Sequence, residues 1–449
     1  MDNKKIDLLR DNINSLDEKI LDLLRERAEI VIEIGEQKKP NTDVVDFERE
    51  QKVLDRLLQI TKAKYSKDSI VRIWREIFHA STKLQQENKS EINTKRSINS
   101  IKVYKGGKSS VKGKKNIIKL SSNENSYGPS PKVLEHINKK EILLNSHRYP
   151  SIDGFKLREK IASVNSLDAN RIVLGCGSDE TLLFAALAFC KDGDEIIHAK
   201  HGFEMYSIIT KIVGATSKLI KENNNYKIDV KSILNEVTSS TKIIYLSNPN
   251  NPTGTYLSRS EIENLLNKLP KHIVVVLDGA YAVYVTKDDY DTGFSLTEEF
   301  ENIIITRTFS KVYGLAALRI GWCYSSEKVA LILNKVKGPF NTQTISQEMA
   351  MIALEDTQYL KEVVERNYNV KKWFEDELKK LHIKSRPSEG NFSFIEITED
   401  KAKDMSNHLI NEGIIVRQLD SYGLPNCLRI TIGTKEEMMA TIKSLKKIV

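Results

Sequence analysis

The segment from Thr306 to Trp322, TRTFSKVYGLAALRIGW, places a lysine where its amine could act as a nucleophile. Three isoleucines at positions 303–305 precede the loop, a pattern typical of a buried strand that ends there. A lysine at such a strand end, here Lys311, can lose contact with water, and a desolvated amine is a usable Schiff-base nucleophile. A solvated surface position is the more common case for one lysine in a chain with 69 Lys and Arg residues. The prediction therefore depends on partners elsewhere in the chain.

Two further strand patterns end in polar side chains. The segment Ile273 to Tyr281, IVVVLDGAY, begins with four β-branched residues, which predicts a parallel strand covered on both faces. The predicted strand ends at Asp278, and Tyr281 follows three residues later. The segment Ile243 to Gly254, IIYLSNPNNPTG, runs into a turn that carries Asn251. Because open α/β sheets bind ligands at the carboxyl ends of their strands, these side chains are expected to face one site.

The turn from Gly175 to Glu180, GCGSDE, joins a short apolar strand pattern to an apolar helix pattern. A turn of small residues that opens a helix offers backbone N–H groups and the positive end of the helix dipole to a phosphate. The candidates within it are Gly177, Ser178 and Asp179. Ser310 and Arg319 could bind the same phosphate through a hydroxyl and a cation.

These groups are the ones that pyridoxal 5′-phosphate (PLP) needs: an amine to bond, a carboxylate to keep the pyridine nitrogen protonated, and a phosphate site. Each pattern alone has a simpler explanation, because the Gly-rich turn could be any strand-to-helix loop and NPNNPTG any turn. In this order, however, residues from about 116 to 449 resemble a fold-type I PLP-dependent aminotransferase, and within that class the histidinol-phosphate aminotransferase family. The resemblance implies an α/β fold with a mostly parallel central sheet and a small α+β C-terminal domain.

By this resemblance, most of the matching residues would hold the cofactor. Lys311 would bond it and move a proton between the substrate Cα and the cofactor C4′, and Asp278 would hold the pyridine N–H. Phe203, in HGFEMY, would stack on the ring, although a core phenylalanine is the simpler alternative. The remaining cofactor contacts would be Asn251 and Tyr281 at O3′, then Gly177, Ser178, Asp179, Ser310, Arg319 and, from a neighbouring subunit, Tyr149 at the phosphate. The active enzyme would then be at least a dimer.

Four further positions match residues that contact the substrate in that family. They are Tyr104, Asn125, Arg417 and Arg429. Arg429, in LRITIG, would bind the substrate carboxylate, and Arg417, in GIIVRQ, matches a second substrate arginine. The segments VYKGGK and SSNENSYGPSP, which carry the other two, have Gly106 and Ser126 where the family usually has proline.

The composition of the whole chain predicts a cytoplasmic enzyme that acts on small molecules. The net charge of +8 is spread over Lys-rich helices with many acidic neighbours, which suits anionic small molecules better than nucleic acid. The four cysteines are scattered without metal-binding or redox spacing, so a reducing compartment is expected and no metal site is predicted. The charged start MDNKK and the lack of a long apolar run predict neither a signal peptide nor a membrane span.

Residues 1–88 differ from the rest of the chain and predict an all-α domain of three helices. Apolar residues recur at intervals of three and four from Ile6 to Val31, which predicts one long amphipathic helix. The segment from Lys39 to Val44 ends it, a second helix follows, and a third is predicted from Lys67 to Gln86. Helices of such unequal length bury little apolar surface alone, so dimerisation is expected.

The polar residues of this domain fall at spacings that place them on shared faces. Arg27 and Lys38 are eleven residues apart, about three turns, and Ser81 and Gln85 are four apart. Together with their neighbours they resemble the active site of the all-helical type II chorismate mutases, which implies an intertwined dimer. The matching residues are Arg10, Arg27, Lys38, Asp46, Arg49, Glu50, Ser81 and Gln85.

By that resemblance the site would rearrange chorismate to prephenate, a pericyclic reaction that needs no acid, base or nucleophile. The protein must hold a compact conformer and stabilise charge on the breaking ether. The clamps on the two carboxylates would be Arg10 of the partner subunit, Arg27, Arg49 and Ser81. The groups at the ether oxygen would be Lys38 and Gln85, and those at the ring hydroxyl Asp46 and Glu50. The alternative is a module that binds an effector or dimerises without catalysis.

The chain is thus predicted to have four parts. They are a mutase-like domain at 1–88, a linker and N-terminal arm at 89–115, a PLP-binding large domain at 116–370 and a small domain at 371–449.

The fusion of two domains bears on the identity of the amino acceptor. A mutase that makes prephenate suggests an acceptor from the same pathway: prephenate, phenylpyruvate or 4-hydroxyphenylpyruvate. Arg417 could then pair with the ring carboxylate of prephenate. The alternative is a histidinol-phosphate aminotransferase of histidine synthesis, in which Tyr104 and Arg417 would help to hold the phosphate. Glutamate is the amino donor that the family resemblance implies.

Overall fold

The computed structural model describes residues 3–37, 47–60, 64–86, 94–104, 106–108, 110–111, 113–114, 116–139 and 146–448. The chain divides into two compact units, Met1–Ser100 and Ile101–Val449. The division falls inside the segment that the sequence predicts to be a linker.

The first unit is helical. Its helices are α1 (Asn3–Gln37), α2 (Phe47–Ile60), α3 (Lys67–Gln86) and the short α4 (Arg96–Asn99). Helix α1 packs on α3 near its C-terminal end, where Val31 is buried, and Phe78 of α3 is buried too. Further toward its N-terminus the apolar side of α1 is open, with Ile13 and Leu16 each 57% exposed. The apolar side of α1 therefore extends beyond the part of the helix that packs against this unit.

The second unit is built on a seven-stranded sheet whose order is β2-β8-β7-β6-β5-β3-β4. The strands of the unit are β1 (Ile118–Leu120), β2 (Ile172–Gly175), β3 (Glu195–Ala199), β4 (Thr216–Ile220), β5 (Thr241–Ser247), β6 (Val274–Asp278), β7 (Ile303–Thr308), β8 (Gly321–Ser325), β9 (Ser385–Arg386), β10 (Phe392–Glu396), β11 (Ile414–Leu419) and β12 (Leu424–Thr431). Strands β3 to β7 pair in parallel, and β8 runs antiparallel to both of its neighbours. The prediction of a mostly parallel central sheet is confirmed.

Helices cover both faces of this sheet. They are α5 (Pro131–Asn138), α6 (Phe155–Asn165), α7 (Ser178–Phe189), α8 (Glu204–Ile212), α9 (Val230–Asn235), α10 (Arg259–Lys268), α11 (Leu296–Glu299), α12 (Glu327–Val336), α13 (Thr344–Glu355), α14 (Thr357–Lys380), α15 (Glu399–Asn411) and α16 (Lys435–Leu445), the last three outside the sheet's own layers. Along β5, Ile243 and Tyr245 pack against one face while Ile244 and Leu246 pack against the other. This burial on both faces explains the continuous apolar runs in the sequence. Among the described residues no helix is both long and apolar enough to cross a membrane.

A second sheet, in the order β1-β11-β12-β10-β9, forms the small domain with α14, α15 and α16. Its edge strand β1 comes from residues 118–120 and pairs in parallel with β11. The sequence-based boundary at residue 116 placed this strand in the large domain, and the structure corrects that assignment. Three residues are too few to show a strand period, so the pairing could not be recognised from sequence.

The loop after β7 depends on a close approach between two backbone segments. Gly314 has φ +70°, and a Cβ at this position would lie 2.4 Å from the carbonyl oxygen of Gly128. Gly128 belongs to the segment between β1 and α5, so this contact joins the loop that carries Lys311 to the N-terminal part of the unit. A side chain cannot be accommodated here by the movement of a flexible neighbour, because the neighbour is backbone.

Replacing Gly314 by alanine should therefore destabilise the second unit by about 3 kcal/mol or more, from a left-handed conformation and a backbone clash together. Gly423→Ala is the matched control, since Gly423 has φ +73° with no atom within 4 Å of the added Cβ. The control should lose only about 1–2 kcal/mol. Urea unfolding of both variants measures the difference in the free energy of unfolding. Equal losses in the two variants would show that the close approach to Gly128 does not add to the cost of the substitution.

Candidate active sites

The carboxyl ends of the parallel strands open into a cavity of about 210 Å³ in the second unit. Residues from the large sheet, from the small domain and from the arm at 101–108 contribute to its lining. The residues predicted from sequence that line it are Tyr104, Ser178, Asp179, Phe203, Asn251, Asp278, Tyr281, Ser310, Lys311, Arg319, Arg417 and Arg429. Strand topology is what brings them together, because they come from segments spread over more than three hundred residues of the chain.

Asp278 ends β6 at the floor of the cavity, with 3% of its surface exposed. Its Oδ2 accepts a hydrogen bond from the Tyr206 hydroxyl at 2.8 Å, and its Oδ1 accepts from the Thr306 hydroxyl at 3.0 Å and from the Ala280 amide at 3.2 Å. Burial raises the pKa of Asp278, and the two hydroxyl donors oppose that shift. A buried carboxylate whose ionised form is favoured by neutral donors fits a protonated pyridine nitrogen.

Lys311 follows β7 and reaches the same cavity from the neighbouring strand end. Its Nζ donates to the Ser122 carbonyl at 3.0 Å and lies 5.8 Å from the centre of the Tyr281 ring. The Tyr281 hydroxyl accepts from Nδ2 of Asn123 at 2.8 Å. Asn251 accepts from Arg429 through Oδ1, which leaves its amide N–H groups to face the cavity. These groups suit a ring that carries an aldehyde next to a phenolic oxygen.

The predicted phosphate site is formed where β2 turns into α7. Arg319 donates from Nη1 to the Ser310 hydroxyl and from Nη2 to Asp179, both at 3.2 Å. Gly177 does not line the cavity, but its lack of a side chain is required, because a Cβ there would lie 2.4 Å from Arg319. Ser178 begins the twelve-residue helix α7, so its N-terminus, a hydroxyl and a guanidinium meet at one point. That combination fits a phosphate.

The structure changes the assignment of Asn125, and the prediction that Tyr149 reaches a neighbouring subunit stays a prediction. Asn125 does not line the cavity, because its Nδ2 donates to the carbonyls of Gly128 and Val312 and its Oδ1 accepts from a backbone amide. Asn123 takes the place in the cavity that was predicted for Asn125. Tyr149, predicted to reach a neighbouring subunit, lies outside the cavity with 81% of its surface exposed and its ring stacked on Phe340.

Tyr206 is a site residue that sequence analysis missed. It lies three residues after Phe203, on the first turn of α8, so the helical spacing HGFEMY was a usable signal. Its ring is stacked on Tyr245 at 4.9 Å between centroids, and it is 1% exposed. The hydroxyl's partner, Asp278, is 72 residues away in sequence and could not be inferred from local pattern.

The other end of the cavity carries two arginines. Arg429 is 5% exposed and donates to Asn251 and, at 2.7 Å, to the Ser121 carbonyl. Nη2 of Arg417 lies 3.5 Å from Oε2 of Glu204, a residue that was not singled out from sequence. Tyr104 lines the cavity together with both arginines, and burial raises the pKa of its hydroxyl while Arg417 lowers it.

In the first unit, α1 and α3 bring three of the predicted mutase residues together. Arg27 donates from Nη1 to the Ser81 hydroxyl, and Gln85 donates to the Val31 carbonyl at 2.8 Å. Burial lowers the pKa of Arg27, and the charge of Glu50 on α2 opposes this shift. These residues therefore share one half-buried polar face of the helical unit.

The other mutase candidates lie on α2, near the N-terminal end of α1 or outside the described residues. Arg49 and Glu50 are in the first turns of α2, and Lys38 and Asp46 lie outside the described residues. Arg10 is exposed and pairs with Asp7 one turn away. It is 17 residues from Arg27 on the same helix, about 26 Å along its axis, so the two cannot serve one site within a single chain.

Two known protein families match separate parts of the chain. Residues 115–445 match the family described as aminotransferase class I and II, and residues 9–86 match chorismate mutase type II. The histidinol-phosphate aminotransferase of Ruegeria pomeroyi is 41% identical over 352 residues, which are 78% of this chain and 96% of that protein. That of Dinoroseobacter shibae is 42% identical over 357 residues, 79% of this chain and 98% of that protein. Each match leaves about a fifth of this chain uncovered.

Solved structures are similar at the level of the fold. The histidinol-phosphate aminotransferase of Sinorhizobium meliloti, solved in complex with pyridoxal-5′-phosphate, has a TM-score of 0.73 at 23% identity and covers 81% of this chain and 100% of that one. An aromatic aminotransferase of Pyrococcus horikoshii has a TM-score of 0.65 at 21% identity, with 74% and 95% covered. At these identities the likeness establishes the fold alone and does not discriminate between substrates.

The contact between Tyr206 and Asp278 predicts a pH-dependent loss of stability. Because the folded pKa of Asp278 lies above its unfolded value, the stability held by the protonated form is lost as the pH rises through the folded pKa. Tyr206→Phe removes a donor that favours the carboxylate, so the chain without added ligands should lose about 1–3 kcal/mol near pH 8 and clearly less near pH 5.

Tyr245→Phe is the control for this prediction, since its hydroxyl donates to the neutral Leu182 carbonyl at 2.8 Å. Its loss should be about 1 kcal/mol and independent of pH. Chemical unfolding at the two pH values distinguishes the variants. A pH-independent loss in Tyr206→Phe would contradict the assignment of Asp278 as the group that the hydroxyl stabilises.

Proposed function

The chain belongs to the class I and II aminotransferase family and carries a type II chorismate mutase domain at its N-terminal end, and we propose that the two domains catalyse reactions of one pathway, aromatic amino-acid synthesis. The first domain makes the chain an isomerase and the second makes it a transferase. The substrate of the second domain would be an aromatic-pathway keto acid, and named residues in each domain would bind the substrates and the cofactor.

In the mutase domain the chain's task is to bind and orient a dianion. Arg27 and Ser81 would form the centre of the carboxylate clamp. Gln85, on the same helix α3 as Ser81, would donate to the ether oxygen with an amide N–H other than the one that it gives to the Val31 carbonyl. Donors that are already oriented stabilise charge on the breaking bond without reorganising during the reaction. The burial of Arg27 supports this role, because a half-buried guanidinium on a polar face attracts an anion more strongly than a fully solvated one.

A second copy of the chain completes this site. Arg10 is about 26 Å from Arg27 along α1, and the open apolar side of that helix includes Leu9, Ile13, Leu16 and Ile20, each at least 55% exposed. An intertwined dimer would cover this surface and bring Arg10 of one copy to Arg27 of the other. The proposed oligomer is therefore a dimer whose mutase sites are shared.

Replacing Arg27 by alanine should reduce mutase turnover by about a hundredfold or more, because it removes a charged donor from the clamp. Arg25→Ala is the matched control, since Arg25 lies on the same helix, has a side chain that is 72% exposed and pairs with Asp22 three residues away. Consumption of chorismate by the full chain measures both variants. Undiminished turnover in Arg27→Ala would remove Arg27 from the clamp. No turnover in the unaltered chain would favour a module that binds without catalysis.

In the aminotransferase domain the described groups support PLP as the cofactor. When bound, PLP supplies an electron sink that weakens the bond between the substrate Cα and its hydrogen. Asp278 would hold the pyridine nitrogen in its protonated form, and Lys311 would carry the proton between the substrate Cα and the cofactor C4′. Asn251 and Tyr281 would bind O3′, and the turn at Ser178 would bind the phosphate.

Arg429 would bind the α-carboxylate of either substrate. It is buried, its Nε has no hydrogen-bond acceptor, and no carboxylate lies within ion-pair distance of it in the described part of the chain. A buried guanidinium without a compensating charge is costly unless an anion joins it. Amino acids and keto acids share such an α-carboxylate.

The observation that carries the choice of acceptor is the mutase domain itself. It produces prephenate, and prephenate leads chemically to phenylpyruvate and 4-hydroxyphenylpyruvate, which are amino acceptors. The cavity supports a ring as well, since Phe203, Tyr104 and Tyr422 all line it. The second candidate is imidazole acetol phosphate, the acceptor of a histidinol-phosphate aminotransferase, and it is favoured by the names of relatives about 41% identical to this chain.

A half-reaction assay tests the proposal. The holoenzyme is first converted to its pyridoxamine form with glutamate, and each acceptor is then supplied alone while the return of the PLP absorbance is followed. An aromatic-pathway keto acid should react at least about tenfold faster than imidazole acetol phosphate, a difference of about 1.4 kcal/mol in the barrier. Reaction with imidazole acetol phosphate alone would mean that the chain joins two pathways.

A further inference from the structure

The two arginines at the open end of the cavity differ in how their charges are compensated. Both Nη groups of Arg429 donate to neutral oxygens, those of Asn251 and of the Ser121 carbonyl. Arg417 instead lies 3.5 Å from the Glu204 carboxylate, with the two side chains 14% and 19% exposed. One arginine is therefore ready for an anion, while the other is already paired with one.

The position of these arginines in the small sheet explains why a carboxylate is needed. Arg417 on β11 and Arg429 on β12 are direct cross-strand partners in the antiparallel pair. Like charges opposite each other on neighbouring strands are destabilising. Glu204, at the first position of α8, reaches Arg417 from the large domain and offsets this repulsion without contacting Arg429.

The ion pair also borders the place where the acceptor's side chain would lie. The pKa of the Tyr104 hydroxyl is raised by burial, lowered by Arg417 and raised by Glu204, so both charges act on a group that lines the cavity. Burial likewise raises the pKa of Tyr422, on which the same two charges act in opposite directions. The phenols of Tyr104 and Tyr422 and the guanidinium of Arg417 thus form a wall of the cavity that Arg429 also lines. Glu204 does not line the cavity itself but neutralises Arg417 in that wall.

We propose that Glu204 is a specificity-determining residue that selects acceptors with an uncharged side chain. A substrate with a second anionic group must compete with Glu204 for Arg417, whereas an uncharged ring leaves the pair intact and packs against the two phenols. This inference rests on the proposed function and narrows it. Phenylpyruvate and 4-hydroxyphenylpyruvate fit the wall, and prephenate, which has a second carboxylate, is disfavoured. Glutamate, as the donor, must displace Glu204 from Arg417 in the other half-reaction.

The test compares two unreactive ligands, of which only one carries a second carboxylate. They are 3-phenylpropanoate and 3-(4-carboxyphenyl)propanoate, and their dissociation constants are measured with the holoenzyme by calorimetry. In Glu204→Gln the preference for the monoanion over the dianion should fall at least about tenfold, because Arg417 becomes available to the second carboxylate. The ratio of kcat/KM for phenylpyruvate to that for prephenate should fall in parallel.

Two further variants keep the test decisive. Glu204→Asp retains the charge and should keep the unaltered chain's preference within about threefold. In the double variant Glu204→Gln, Arg417→Gln the gain for the dianion should disappear, since the arginine that receives it is gone. An unchanged preference in Glu204→Gln, an equal change in Glu204→Asp, or a gain that survives loss of Arg417 would each overturn the proposal.

Failure of this inference can be told apart from failure of the proposed function. The binding ratios report on Glu204 and Arg417 whether or not an aromatic keto acid is transaminated. If the unaltered chain transaminates none of the aromatic keto acids, the proposed function is overturned, and the binding ratios still decide the role of Glu204.

Discussion

The cost of burying one carboxylate organises the aminotransferase half of this chain. Asp278 is 3% exposed, and its charged form depends on donors from three places: Tyr206 on α8, Thr306 on β7 and the backbone at Ala280. Those donors require β6 and β7 to be neighbours and α8 to lie beneath the strand ends. The same geometry brings the loop with Lys311 to the cavity, so the placement of the proposed reactive amine follows from how the carboxylate is held.

The arginines of the two sites differ in whether a nearby carboxylate compensates their charge. In the second unit Arg319 is paired with Asp179 and Arg417 with Glu204, whereas the buried Arg429 has only neutral acceptors within the described chain. The paired arginines keep the cavity close to neutral, and the unpaired one attracts the carboxylate that all the proposed substrates share. In the first unit Arg27 is half buried against the Ser81 hydroxyl, which again leaves a cation for an anionic substrate.

The sequence predicted the strand ends well because buried parallel strands have a distinct pattern, and Asp278, Asn251 and Lys311 follow such strands directly. It did not distinguish Asn123 from Asn125, because the choice depends on the loop backbone, where Asn123 has φ +55°. The pair between Glu204 and Arg417 joins residues 213 apart, and no local pattern announces such a contact. The long helix α1 was predicted from its period, but its open apolar side appears only when the packing of the single chain is seen.

The most direct measurement of the central claim, that both domains serve one pathway, is a competition in a single tube. The holoenzyme is given limiting glutamate with equal concentrations of phenylpyruvate and imidazole acetol phosphate, and the two amino products are quantified. Their ratio equals the ratio of kcat/KM for the two acceptors. The account predicts that phenylalanine predominates. A predominance of histidinol phosphate would contradict it and would separate the aminotransferase from the chemistry of the mutase domain.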